Sequence, residues 1–339
     1  MSQRIGLGDG EQGQDIAMTL ASIAYCDDIG AALQQYAPDW SLAWIPDAAV
    51  NGNFAYIALH KSHGQYIVAI RGSLLEFSWA AFDNWFEQDF NIFVQVNWTY
   101  PGSPQQPKIS KGSSDGLTDL INLVQTSGGQ QTTMLEYLLA NAFGQDQSIG
   151  VVGHSLGGCL ATVYAPWLLY QIGMANKPIP LLFPVFTFAA PPAGNTPFAQ
   201  AFDATFPSSW RYFNLLDIVP MASVPLSIIG MGDLYTPAPQ ASQISVTYDG
   251  ETVTLAEAFD AIAVAVWSSE ILNGGSFYSQ TNLTHGSEPL NTTNMLCSTT
   301  NTDPLVQWFE EAGCQHGHNT YLEMLGASQI NCSLTALTP

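Results

Sequence analysis

Residues 148–170 impose the tightest restriction on what this chain can become. A short apolar run, 148–152, ends in Gly153-His154-Ser155-Leu156-Gly157-Gly158, and helical periodicity follows over 159–170. Strand, sharp turn and helix is the economical reading of that order. A serine at the apex of such a turn adopts a strained backbone, and glycines two residues to either side let strand and helix approach closely enough to hold it. Its hydroxyl then stands beside a helix N-terminus, whose free N–H groups favour developing negative charge. Ser155 is therefore a candidate nucleophile. His154, next to it, is expected to point away and not to serve as its base.

The surroundings fit an α/β sheet. Residues 14–27 read as an amphipathic helix, and 54–59 with 65–70 as a hairpin running into Arg71-Gly72-Ser73. An aromatic cluster occupies 77–98. Helices are predicted over 117–124 and 134–143, separated by Gly128 and Gly129, and buried strands over 181–188 and 211–216. Between 241 and 300 the pattern changes to a polar strand pair, a helix at 255–272 and a loop rich in Ser, Thr and Asn. We read this stretch as an insertion or cap within one domain spanning 1–339. The long uncharged runs 147–176 and 178–202 are interrupted by Pro166 and by Pro180, Pro184, Pro191 and Pro192, so they read as buried segments and not as membrane spans.

A nucleophilic serine needs a base within hydrogen-bond reach and an acid to orient that base. Beyond Ser155 the acidic candidates are Asp203, Asp217, Asp233, Asp260, Glu288 and Asp303. Asp217 directly follows an apolar strand, at the strand end where an open α/β sheet holds its site. For the base, His318 opens a short helical segment with Tyr321, Leu322 and Leu325, whereas His316 lies in a Gly-flanked loop, so His318 is favoured. His285, His60 and His63 read as surface histidines. The oxyanion donors are expected from the Leu156 N–H and from Ser73, where Gly72 lets the backbone approach.

On these residues the chain resembles the class 3 lipases of the α/β-hydrolase fold. The resemblance rests on Arg71-Gly72-Ser73 followed by Asn84-Trp85, on residues 108–112 (KISKG), on Gly153 to Gly158, on 214–220 (NLLDIVP), and on His318-Asn-Thr-Tyr321, all in the family's order. It implies an α/β-hydrolase with a mostly parallel sheet, Ser155 as nucleophile, Asp217 as acid, His318 as base, and Ser73 with Leu156 as the oxyanion hole. It also implies a lid over 74–83. Trp79, Phe82 and Phe86 recur there at helical spacing, as lid or acyl-binding residues able to face a lipid interface or pack on the core. Residues 44–54 and 241–300 have no counterpart in the family pattern.

Composition narrows the substrate. With 28 acidic against 7 basic residues, a net charge of −21, little is available to neutralise phosphates, so nucleic acid and anionic membranes are poor partners. A neutral lipid or ester is the expected substrate, hydrolysed through an acyl-enzyme; no metal or organic cofactor is implied, since His, Cys and acidic residues show no ligand spacing. Lipase, phospholipase, feruloyl-type esterase and acyltransferase all run on this triad, and a non-catalytic hydrolase-fold binding protein is the rival from another class. Aromatics near the entrance favour an apolar acyl chain. No secretory signal is visible in this numbering, which leaves a cytoplasmic or a leaderless or trimmed secreted form. Five cysteines leave at least one unpaired within the chain; Cys26 and Cys159 read as small buried hydrophobes, and a bridge among Cys297, Cys314 and Cys332 is left open.

Overall fold

The runs that read as strands are apolar because both of their faces are covered. The computed structural model describes residues 13–74, 77–84, 91–100, 106–144, 147–180, 183–235, 240–290 and 300–332. Its central sheet contains β1 (Trp40–Trp44), β2 (Ala55–His60), β3 (Gln65–Ile70), β4 (Ser148–His154), β5 (Val185–Phe188), β6 (Ser209–Asn214) and β7 (Ser287–Leu290), lying side by side in that order. The β1–β2 and β2–β3 pairs are antiparallel, and β3 to β7 are parallel. This is the largely parallel sheet of an α/β-hydrolase, helix-covered as such sheets must be.

Strand periodicity divides the apolar side chains between two cores. Val68, Ile70 and Val151 pack with Leu160, Val163 and Tyr164 of the helix Leu156–Met174. Their neighbours Ile67, Ala69 and Val152 point the other way, onto Met18 and Leu20 of the helix Gln14–Ile23. Pro166 sits inside Leu156–Met174 without ending it. Among the described residues no helix is long and apolar enough to cross a membrane.

A third core lies over the C-terminal edge of the sheet. Here Phe82, Ile218, Phe259, Ile262, Val266, Trp308 and Phe309 come together. They join the aromatic segment after Ser73, the helix Leu255–Leu272 and the helix Pro304–His316. Leu255–Leu272 has the bounds read from the sequence, started by a capping box between Thr254 and Glu257.

Several local expectations change. The helix expected at 117–124 runs over Lys111–Ile121. Residues 124–133 form a hairpin whose turn, Gly128 and Gly129 at φ 59° and 82°, has the twist that two-residue hairpins favour. Within 241–300, β7 returns to the central sheet; it is polar and contains Pro289, as an edge strand can. Cys26 is bonded to Cys332 across 306 residues, Cys314 is also disulfide-bonded, and Cys159 is free and buried. His60 is buried, packed edge-on against Trp40, and not a surface residue.

Candidate active site

Every parallel strand ends at the same edge, and the reactive groups sit there. Ser155 directly follows β4, with φ 60° and ψ −132°, a region that L side chains avoid. Close backbone approach holds it. A Cβ on Gly157 would lie 2.2 Å from the Ile70 carbonyl oxygen, and one on Gly153 would lie 2.1 Å from that of Gly157. The Ser155 N–H donates to the Phe188 carbonyl at the end of β5 (2.9 Å).

The Ser155 hydroxyl donates to His316 Nε2 at 2.8 Å. His316 Nδ1–H donates to Asp217, 2.8 Å to Oδ2 and 3.0 Å to Oδ1. A carboxylate only accepts, so the Nδ1 proton is fixed and Nε2 is left free for the serine. Asp217 is fully buried just beyond β6. Its Oδ2 also accepts from the Tyr321 hydroxyl (2.7 Å) and its Oδ1 from the Val219 N–H (2.9 Å). Burial and the Asp217 charge push the Tyr321 phenol well above its ordinary value, so it remains a donor.

The base is therefore His316. The expectation of His318 from helical spacing and from the Tyr321 match is corrected by these distances. His316 is the last residue of Pro304–His316 and His318 the first of the helix His318–Met324, with Gly317 (φ −56°, ψ 136°) re-aiming the chain between them. Asn214 sets the height of that junction, donating through Nδ2 to the Gln315 carbonyl (3.0 Å) and to Gln315 Oε1 (2.7 Å). His318 stacks instead on Tyr25, ring centroids 5.3 Å apart and 10° from parallel. Burial, with His316 nearby, holds its pKa down to about 4.

His154 is not the base, but it supports the base. Its Nε2–H donates to the His316 carbonyl (2.9 Å), which leaves Nδ1 to accept from the Tyr25 hydroxyl (3.0 Å). Burial first, then the neighbouring His316 and His318, hold it well below the usual imidazole range and hence neutral. The Gly72 backbone in turn hydrogen-bonds Tyr25. The 71–73 turn is thus tied through Tyr25 and His154 to the main chain of the base. A Cβ on Gly72 would lie 2.9 Å from that of Ser155, so this turn runs against the nucleophile, and Leu156 opens the helix behind it. Ser73 and the Leu156 N–H, the expected oxyanion donors, belong to these two segments.

The site is covered. Ser155 is 1% exposed, and the Phe77 ring lies 5.4 Å from that of His316. In the short helix Trp79–Asn84, Phe82 is buried against Phe259 and Phe309, with centroids at 5.6 and 5.9 Å. Trp79 Nε1–H donates to the Thr247 carbonyl (3.0 Å). Two of the three expected lid residues therefore contact residues within 241–300. The third, Phe86, lies outside the described residues.

Tyr321 and Asn214 stand in segments that carried the family resemblance, without a role read for them there. Tyr25 had no sequence signal, because nothing in a helix end announces a contact with a residue 129 positions away.

Comparison with known proteins agrees with this geometry. The family described as lipase (class 3) matches residues 67–226, which hold Ser73, Ser155 and Asp217. A curated relative, lipase ZK262.3 of Caenorhabditis elegans, is 32% identical over 102 residues, 30% of this chain and 28% of that protein. The chain thus spans under a third of that relative's length. The crystal structure of M37 lipase overlays with a TM-score of 0.70 at 24% identity, covering 92% of both chains, and shows the same fold. A triacylglycerol lipase from Penicillium expansum overlays in part, with a TM-score of 0.44 at 20% identity over 63% of this chain and 72% of that one.

Proposed function

We propose, on the premise that this chain belongs to the class 3 lipase family, that its serine ester hydrolase chemistry is directed at neutral acylglycerols. The observation that carries the chemistry is the continuous bonding of Asp217, His316 and Ser155. As Ser155 Oγ attacks the ester carbonyl carbon, its proton passes to His316 Nε2, and Asp217 stabilises the imidazolium. The oxyanion forms beside the Leu156 N–H and Ser73, each such donor contributing roughly 2.7–4 kcal/mol to the transition state. His316 then gives its proton to the departing alcohol oxygen, leaving the acyl group on Ser155. Water then gives a proton to His316 Nε2 as it attacks that acyl carbon, the bond to Ser155 Oγ breaks with His316 returning the proton to Oγ, and the acid is released.

The substrate assignment rests on the cover and on charge. Phe77 packs against His316 beside the buried serine, and Trp79 and Phe82 continue that apolar segment, which suits a long acyl chain. A net charge of −21 disfavours anionic headgroups. The Cys26–Cys332 bond and the bonded Cys314 favour an oxidising compartment among those the sequence leaves open.

Hydrolysis of an acylglycerol series from tributyrin to triolein tests this reading, with Ser155→Ala as control. Activity that rises with chain length and disappears in the variant is the expected result. Folded protein inactive on every chain length, yet active on a feruloyl or other small ester, would overturn the acylglycerol assignment.

A further inference from the structure

The chain carries 28 acidic residues and only 7 basic ones, yet one of the 7 is buried without a counter-charge. Arg211, inside β6, is 8% exposed. Among the described residues its side chain makes one hydrogen bond, from Nη1 to the Ser287 hydroxyl (3.2 Å), and takes part in no ion pair. The guanidinium lies over the Phe213 ring, 4.1 Å from its centroid, and Nε is buried with no acceptor. Across the sheet Arg211 stands opposite Thr187 of β5 and Ser287 of β7, and the Thr187 hydroxyl is buried without a partner too. Buried charges are ordinarily paired, because the hydration they lose has to be replaced. Burial lowers the guanidinium only to about 10, so the charge is present at neutral pH.

Arg211 lines a cavity with room for such a partner. The cavity holds about 380 Å³ and opens to solvent. Phe213, Met221 and Val224 give it apolar walls, Ser227 adds a hydroxyl, and half-exposed Leu283 borders it. Asp217 belongs to the same wall, whereas Ser155 and His316 do not line it. We propose that this cavity binds a monocarboxylate with an apolar body, the class of acid that ester hydrolysis releases, at a second site beside the triad acid. The proposal rests on the ester-hydrolase reading for the identity of that acid alone. Charge and wall chemistry select the occupant. One guanidinium matches one carboxylate, and a charge-assisted hydrogen bond to it satisfies the donors that the fold leaves over. A doubly charged phosphate would meet Asp217 and the net charge of −21 with nothing apolar to bury in return. An acid with an alkyl body gains from Phe213, Met221 and Val224 what the net charge takes away.

The test is calorimetric titration of sodium octanoate into the Ser155→Ala protein, alone and combined with Arg211→Gln or with Leu283→Glu. Arg211→Gln removes the charge, and Leu283→Glu sets a negative charge beside the cavity at a position 51% exposed, outside the packed core. The expected result is one saturable octanoate site, with binding about tenfold or more weaker in either combination. Octanamide, equally long and uncharged, should bind the Ser155→Ala protein about tenfold or more weakly than octanoate does. Absence of octanoate binding would overturn the proposal, as would affinity that Arg211→Gln leaves unchanged. Should Arg211→Gln unfold, unchanged affinity in Leu283→Glu would overturn it equally. So would octanamide binding as tightly as octanoate, since the guanidinium would then have no part, and so would inorganic phosphate binding more tightly than octanoate, since the apolar walls would have none. The titration needs no turnover. A parent inactive on every ester would therefore sink the ester-hydrolase reading and leave the octanoate result to stand or fall by itself.

Discussion

At the residue scale, two histidines separated by one glycine have opposite environments. His316 bridges Ser155 and Asp217, while His318 packs flat on Tyr25 with its Nδ1 lacking a hydrogen-bond partner. Replacing His316 by Ala removes the proton acceptor, so kcat should fall by about a thousandfold or more. His318→Ala removes a stacking contact and should lower kcat by less than tenfold. Initial rates on a soluble ester decide between them, and the reverse order would restore His318 as the base. The distinction was invisible in the sequence because both residues have glycine and helix formers nearby. Only the position of Asp217, 99 residues earlier, selects one of them.

At the element scale, the helices Trp79–Asn84 and Leu255–Leu272 hold each other. Phe82 is enclosed by Phe259 and Phe309, and a buried Phe→Ala change costs about 3–5 kcal/mol. That loss falls on a six-residue helix whose other anchor is Trp79, bonded to the Thr247 carbonyl, so it should favour local opening of this helix over global unfolding. Phe82→Ala is expected to raise turnover of a water-soluble ester several-fold. It should also flatten the jump in rate that the parent shows as a lipid substrate passes its solubility limit. Rates unchanged in both regimes would identify the aromatic segment as a fixed wall. The two elements were legible separately, as an aromatic run and as a capped apolar helix. Their contact was not, because a sequence separation of 177 positions between Phe82 and Phe259 leaves no local pattern.

At the scale of the whole molecule, buried imidazoles link stability to pH. His318 is held down to about 4 by burial and by His316, and His154 is held well below its usual range by burial first. Both stay neutral in the fold while the unfolded chain protonates near 6.5, so between about 6.5 and 4 the unfolded state binds more protons. Their contribution is complete above about 6.5 and is lost as pH falls toward 4. Glu270 acts in the opposite sense, since burial raises it to about 6 and the fold takes its proton first. The thermal midpoint should drop from pH 6.5 to 4, and His318→Gln should make that drop shallower. Melting curves followed by circular dichroism would refute the assignment if the two slopes coincide.

What could be read along the chain was whatever short-range physics dictates. The serine turn needs Gly153 and Gly157 because backbone comes within contact distance on both sides, and the paired runs 65–70 and 148–152 need apolar residues because both faces are covered. Those requirements are written into neighbouring residues, and with them the α/β sheet, the nucleophile and the strand-end acid. The base, the Tyr25–His154 support behind it, the Cys26–Cys332 bond and the return of β7 to the sheet join residues about 70 to 306 positions apart. Chain folding alone brings such partners together, because each contact depends on geometry accumulated across whole elements and not on the identity of adjacent side chains.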